Sequence, residues 1–235
     1  MSLTPVEVVV RRGDDELRGG VEPGESWLAA ARRLGGGVEP EPVDLSGDLK
    51  VFVLDDHRVA LREMTHGDLD AVVGWRSDPD VVRWWSAGEL DTSADGMRRK
   101  YAERVDGLSP TRMWVVEING RSVGFVQDYR VGDYPDYSLL GPDPDAIGVD
   151  YAIGAEQWRG QGLGQRVIWS WMRNARRRFP EATSYFAAPD HRNAASLRVL
   201  AKAGFSAGLW FDEPQENGEV HTVVGCTLDV PTVIG

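Results

Sequence analysis

The chain has 235 residues, of which 42% are apolar and 27% charged, so it can bury a core and does not have the composition of a disordered segment. Its 26 Lys and Arg stand against 37 Asp and Glu, a formal net charge of −11; that balance argues against nucleic acid and anionic membrane as partners, because both need a basic face, and it suits a cationic small molecule. A single cysteine, Cys226, leaves no internal disulfide and no thiolate zinc cluster. No apolar run approaches the roughly 20 residues of a spanning helix, and Val8-Val9-Val10 runs directly into Arg11-Arg12 rather than a secretion signal, so a cytoplasmic protein is expected.

Residues 1–55 are punctuated by Gly19-Gly20, Gly35-Gly36-Gly37 and Pro40-Glu41-Pro42 and read as a loop-rich N-terminal extension. Within it only a strand around Val6–Val10 and a helix over Ser26–Leu34 are expected. From residue 56 to 235 the punctuation is regular. A strand holding Val59 and Leu61 precedes a helix near His66–Arg76, and a second helix runs from Thr92 to Val105 with Ser93 or Thr92 as cap. Between them Trp84 and Trp85 are adjacent, so on a strand or loop only one can point inward, leaving the other for a surface or a substrate. Met113–Ile118 and Ser122–Val131 flank Asn119-Gly120, a hairpin signal. A Pro/Asp-rich loop, 133–145, leads into a strand at Ile147–Ile153.

Leu163, Val167, Trp171, Ala175 and Phe179 then recur at steps of four, one face of an amphipathic helix that stops at Pro180 and carries Arg166, Arg173, Arg176, Arg177 and Arg178 on its other positions, the Arg173–Arg178 cluster read as a solvated face. A strand (Thr183–Ala187), a helix (Asn193–Lys202) closed by Gly204 and two strands (Phe205–Phe211 and Val220–Leu228) complete an α+β chain with a mixed, mostly antiparallel sheet.

The densest chemical signal is Arg159-Gly160-Gln161-Gly162-Leu163-Gly164, between a strand and the amphipathic helix. Glycines at this spacing let the backbone turn tightly and aim several N–H groups into one concavity, with the positive end of the helix behind them. An anion site and a plain structural turn both fit. No Lys-Ser/Thr follows, which excludes a Walker-type loop, and the glycine spacing is not that of a dinucleotide fold. His57, His66, His191 and His221 show no paired metal-ligand spacing, so no metal is expected.

These residues match the (Gln/Arg)-x-x-Gly-x-(Gly/Ala) acetyl-CoA signature, and Asn193-Ala194-Ala195-Ser196-Leu197 through Lys202-Ala203-Gly204-Phe205 resembles a later helix of the same family, the GNAT acyltransferases. Over about 57–229 the chain resembles that superfamily, which implies the GNAT fold with splayed strands. The resemblance places acetyl-CoA, as co-substrate, on Tyr151, Ala152, Ile153, Arg159, Gly160, Gln161, Gly162, Leu163, Gly164, Gln165 and Asn193. Within the superfamily Val82-Arg83-Trp84-Trp85, Gly124–Tyr129, Gly148-Val149-Asp150 and the Asn193–Phe205 segment look most like aminoglycoside 6'-N-acetyltransferases. Siderophore-type lysine acyltransferases are similar around Trp84-Trp85 and Asn193–Ser196 but carry a histidine where this chain has Asp150.

The resemblance implies that Asp150 is the catalytic carboxylate, receiving the substrate ammonium and its proton, with Trp84, Trp85, Gln127 and Asp190 as further substrate contacts: a stacking wall, a hydroxyl binder and a second acid. One departure stands out. Where many family members place a helix tyrosine to protonate the departing thiolate, this chain has Leu200; Ser196 is the nearest hydroxyl on that helix, and Tyr151 and Tyr185 are candidates elsewhere. A catalytically silent CoA-binding module is therefore the alternative from another functional class, and acylation of a different amine, on a siderophore lysine, polyamine or protein, the alternative within the enzymes. The charge also concentrates: Asp128, Asp133, Asp136, Asp143, Asp145 and Asp150 cluster with Arg130 alone, and Asp212, Glu213, Glu216 and Glu219 form a second acidic stretch, together a negative field for a polycation.

Overall fold

The computed structural model describes residues 6–54, 59–85, 89–134, 143–215 and 217–235. His57, Asp136 and Glu216, singled out above, lie outside them. Eleven strands form two sheets among the described residues. The larger has the order β10-β11-β9-β8-β7-β6-β5, where β5 is Val59–Glu63, β6 Arg112–Ile118, β7 Arg121–Arg130, β8 Ile147–Ile153, β9 Ser184–Ala187, β10 Ser206–Pro214 and β11 Val220–Asp229. All neighbours are antiparallel except β8 and β9. The β6–β7 hairpin closes on Asn119 (φ 51°) and Gly120 (φ 75°), both left-handed, as a tight Asn-Gly turn requires.

The helices are α1 (Trp27–Leu34), α2 (Leu69–Arg76), α3 (Pro79–Trp85), α4 (Ala94–Val105), α5 (Gly164–Arg178), α6 (Ala194–Lys202) and a short α7 (Val230–Val233). Ser26, Ser93 and Asn193 cap α1, α4 and α6 by accepting backbone N–H bonds from Ala29, Gly96 and Ser196. One face of the large sheet packs on α5, where Val167, Ile168, Trp171, Met172 and Ala175 are buried against Trp114, Val116, Val126 and Ile147. On the other face α2 and α4 bury Val72, Met97 and Tyr101 against Met113, Val115 and Phe125.

Two expectations need correction. The N-terminal segment is not loop-rich chain: β1 (Glu7–Arg12), β2 (Asp15–Gly20), β3 (Glu41–Asp44) and β4 (Leu49–Val53) form a second sheet in the order β2-β1-β4-β3, covered by α1. The glycines and prolines mark the turns between very short strands, so they mask the strands from a pattern search. Phe52 meets Trp169 of α5 edge-on at 5.8 Å, and both belong to the core that continues under the large sheet. Trp84 and Trp85 lie on helix α3 rather than on a strand or loop, started by Pro79; both are partly buried, and both face the cleft described next.

Candidate active site

Strand β8 builds the site by parting from its neighbour. It pairs with β7 along its whole length, from Ile147↔Arg130 to Ile153↔Gly124, but with β9 only at Ile147↔Tyr185 and Gly148↔Phe186. From Val149 onward its β9-facing edge has no strand partner among the described residues. Gly124 lets β7 hug this stretch, since a Cβ there would fall 2.1 Å from the Ala152 carbonyl oxygen. Two clefts flank the freed edge and share Trp84, Trp85, Tyr151, Asn193 and Ser196.

The first cleft runs past Ala152 and Ile153 to the glycine turn and on to α6. Gly160 (φ 71°) and Gly162 (φ 69°) occupy the left-handed region, which costs a residue with a Cβ and which a β-branched residue scarcely adopts. A Cβ at Gly164 would lie 2.6 Å from Val199 of α6, so the glycine brings the two helices together at the end of the cleft. Leu163, Gly164 and Gln165 line it at the start of the 15-residue α5, whose first N–H groups have no intrahelical partner. Opposite them, Arg198 and Lys202 of α6 add cationic side chains that sequence reading had passed over. An extended, partly apolar channel ending in glycine N–H groups and two cations fits a pantetheine arm with its pyrophosphate.

Not every residue expected to hold the cofactor faces this channel. The Gln161 side chain folds back to donate to the Gln157 carbonyl, and Gln161 is absent from the lining. Arg159 lines the channel, but its guanidinium is committed to the protein: Nε donates to the Ile153 carbonyl at 2.9 Å and Nη1 to Asp78 at 3.0 Å. It braces the end of the splayed strand against the start of α3. Among the arginines of α5, Arg177 is exposed as expected of a solvated face, Arg166 is buried against Glu41, and Arg178 departs from the expectation. Arg178 turns in to pair with Asp128, which is fully buried and also accepts the indole N–H of Trp114 (3.0 Å) and Trp171 (2.9 Å). Asp128 is thereby neutralised and leaves the acidic field; Asp145 is paired with Arg130 at 3.0 Å.

The second cleft contains Asp150, Asp190 and Glu213 with Arg83, Gln215, His221 and Leu200. Asp150 sits opposite Gln127 in the β7–β8 register. Gln127 Nε2 donates to Asp150 Oδ2 at 2.7 Å, and the Gln127 carbonyl oxygen accepts from Arg104 of α4. Gln127 is buried and lies behind Asp150, outside the cleft, so the expectation that it binds substrate hydroxyls is corrected: it aims the carboxylate. Burial raises the Asp150 pKa to about 6; Gln127 pulls it down, Glu213 pushes it up, and Arg104 and a Tyr129 hydrogen bond pull it down. A carboxylate so poised is ionised at neutral pH yet basic enough to accept a proton. Asp190, expected as a second acid, lines the same cleft, but Arg192 donates to it from Nε at 2.9 Å and Nη2 at 2.7 Å, holding its pKa below the usual range. Glu213 is the acid that acts on Asp150, a pairing hidden from sequence because 63 positions separate residues that only the terminal hairpin brings together.

The comparisons agree with this geometry. A family model described as an acetyltransferase (GNAT) domain matches residues 65–212. Among solved structures, the aminoglycoside acetyltransferase AAC(6')-Ib in complex with coenzyme A and kanamycin superposes with a TM-score of 0.62 at 22% identity, over 73% of this chain and 95% of that one. An aminoglycoside N(6')acetyltransferase from Legionella pneumophila gives 0.56 at 18% identity over 75% and 95%, and the ribosomal L7/L12 α-N-protein acetyltransferase RimL in complex with coenzyme A gives 0.57 at 16% over 74% and 95%. At these identities the likeness carries the fold. A search of curated proteins returned no match. No group of His, Cys, Asp and Glu among the described residues is arranged to hold a metal, and no described helix is long and apolar enough to cross a membrane. With the matched domain containing the whole lining of the first cleft, strand β8 and most of the second cleft, the chain belongs to the GNAT acetyltransferases, enzymes that use acetyl-CoA to acylate an amine.

Proposed function

We propose that the acceptor is a primary amine of a polycationic small molecule, most closely the 6'-amine of an aminoglycoside. The observation that carries this reading is Asp150 in the second cleft, next in sequence to Tyr151, which lines both clefts, with its pKa near 6 and Glu213 in the same cleft. The pair offers an ammonium ion two carboxylates in a partly desolvated place. Asp150 takes the proton that makes the amine nucleophilic, while the open edge of β8 presents backbone groups to the acetyl thioester and its developing oxyanion. Trp84 and Trp85 supply an aromatic wall for sugar rings and cations; Arg83 already lies 4.7 Å over the Trp84 ring, so that face accepts a cation.

Arg83 also supports a second reading. A guanidinium in an otherwise acidic cleft suits an acceptor that carries a carboxylate, such as the side-chain amine of a lysine derivative. Purified protein with acetyl-CoA and a thiol reagent separates the two. Release of free CoA with kanamycin and ribostamycin, and none with lysine derivatives or peptides, is expected; preference for lysine derivatives selects the second reading, and CoA binding with no amine turned over removes both.

A further inference from the structure

Breaking the thioester leaves a thiolate that must gain a proton, and Leu200, buried and without a hydroxyl, cannot supply it. Only two hydroxyl groups line either cleft among the described residues, those of Tyr151 and Ser196, and both line both clefts. They lie 2.9 Å apart, within hydrogen-bond reach of each other. Asp150 and Tyr151 are consecutive on β8, so their side chains leave opposite faces of the strand: Asp150 toward Gln127 and α4, Tyr151 into the core on the α5 side and across to α6. There the phenol meets Ser196, one helical turn before Leu200 on the same face of α6. Tyr185, the other tyrosine considered, is fully buried behind α5, donates to the Met172 carbonyl and lines neither cleft.

We propose that Tyr151, relayed by Ser196, protonates the departing CoA sulfur, moving onto the strand a task that the helix position Leu200 cannot perform. The proposal rests on the acetyl-CoA chemistry of the domain and not on which amine is acylated. The ammonium's first proton passes through Asp150 to solvent; the neutral amine nitrogen then bonds to the acetyl carbon, and Asp150 accepts the nitrogen's second proton. The C–S bond then breaks with its electron pair on sulfur, and the phenolic O–H proton passes to that sulfur, giving the free thiol. Ser196 hydrogen-bonds the transient phenolate, and the proton held by Asp150 is lost to solvent as another is regained through Ser196. A phenol is the right donor of the two, since an ordinary tyrosine titrates near 10 and a thiol near 8.5, within reach of each other, whereas an aliphatic alcohol is far weaker. Burial pushes the Tyr151 pKa above that ordinary value, which keeps the phenol protonated in the resting enzyme and makes it a weaker donor, and the Ser196 hydrogen bond acts the other way, easing the loss of its proton.

The test compares wild type with Tyr151→Phe and Ser196→Ala. CoA is bound to each protein and its thiol titrated by the ultraviolet absorbance of the thiolate. Loss of the phenol should move the bound-thiol titration to higher pH, and loss of Ser196 should move it less. With kanamycin as acceptor, Tyr151→Phe should lower kcat about 100-fold with the KM for acetyl-CoA unchanged; a purely structural tyrosine would raise that KM instead. Identical thiol titrations in wild type and Tyr151→Phe would overturn the assignment. If no protein turns over kanamycin, the failure belongs to the acceptor reading, and the thiol titration still decides the role of Tyr151.

Discussion

Asp150 is asked to be charged where charge is costly. Its folded pKa of about 6 lies above the roughly 3.9 of an unfolded aspartate, so ionising it disfavours the folded state, and stability falls as pH rises between those values. Asp150→Asn removes that cost. The variant should melt above wild type at pH 8, with the gap closing as pH falls toward about 4, where both side chains are neutral. Equal melting temperatures at both pH values would show that burial does not raise the carboxyl. Gln127 and Arg104 both pull the Asp150 pKa down, so Gln127→Ala should shift the acid limb of kcat/KM to higher pH while leaving the KM for acetyl-CoA in place. A KM change for the amine with no shift of the limb would restore the substrate-binding role that its sequence position suggested.

Among the elements, the glycine turn and β8 were legible because each has a local signature. Three glycines at fixed spacing permit the left-handed backbone seen at Gly160 and Gly162, and an apolar strand running into Asp150 marks the edge that the proposed chemistry uses. The bounds of β8 match the expected Ile147–Ile153. What stayed hidden depends on contacts across distance: Arg159 turning to Ile153 and Asp78, Arg178 turning to Asp128, and Arg198 with Lys202 reaching the channel from another helix. Helix α3 was hidden for a different reason, since its 7 residues are too few to show a period. Gly162→Val would place a β-branched side chain at a φ of 69°, a strain of about 1–3 kcal/mol. Weaker CoA binding by calorimetry, with an unchanged circular dichroism spectrum, is expected; full affinity would remove the turn from the cofactor site.

In the whole molecule, the N-terminal sheet and the acetyltransferase fold share one continuous core, with Val8, Val10 and Phe52 fully buried beside Trp169. Phe52→Ala should cost about 3–5 kcal/mol in denaturant unfolding, as for large-to-small changes at packed aromatic sites; a loss under about 1 kcal/mol would mean that this sheet opens independently. The charge of −11 is less evenly spent than its sequence clusters suggest: Asp128 is neutralised inside, Asp145 and Asp190 are paired with arginines, and Asp150 and Glu213 line one cleft, the proposed acceptor site. Salt at about 0.5 M, which shortens the screening length below roughly 5 Å, should raise the KM for a polycationic acceptor. An unchanged KM would show that long-range attraction plays no part.

The pH dependence of kcat/KM for kanamycin acetylation, in wild type and Asp150→Asn, bears most directly on the role given to Asp150. The wild-type rate should rise with pH through about 6 and then level, about tenfold for each unit below that point, while the variant should run at least tenfold lower without that limb. Coincident profiles would contradict it; no acetylated kanamycin at any pH would instead overturn the aminoglycoside as acceptor.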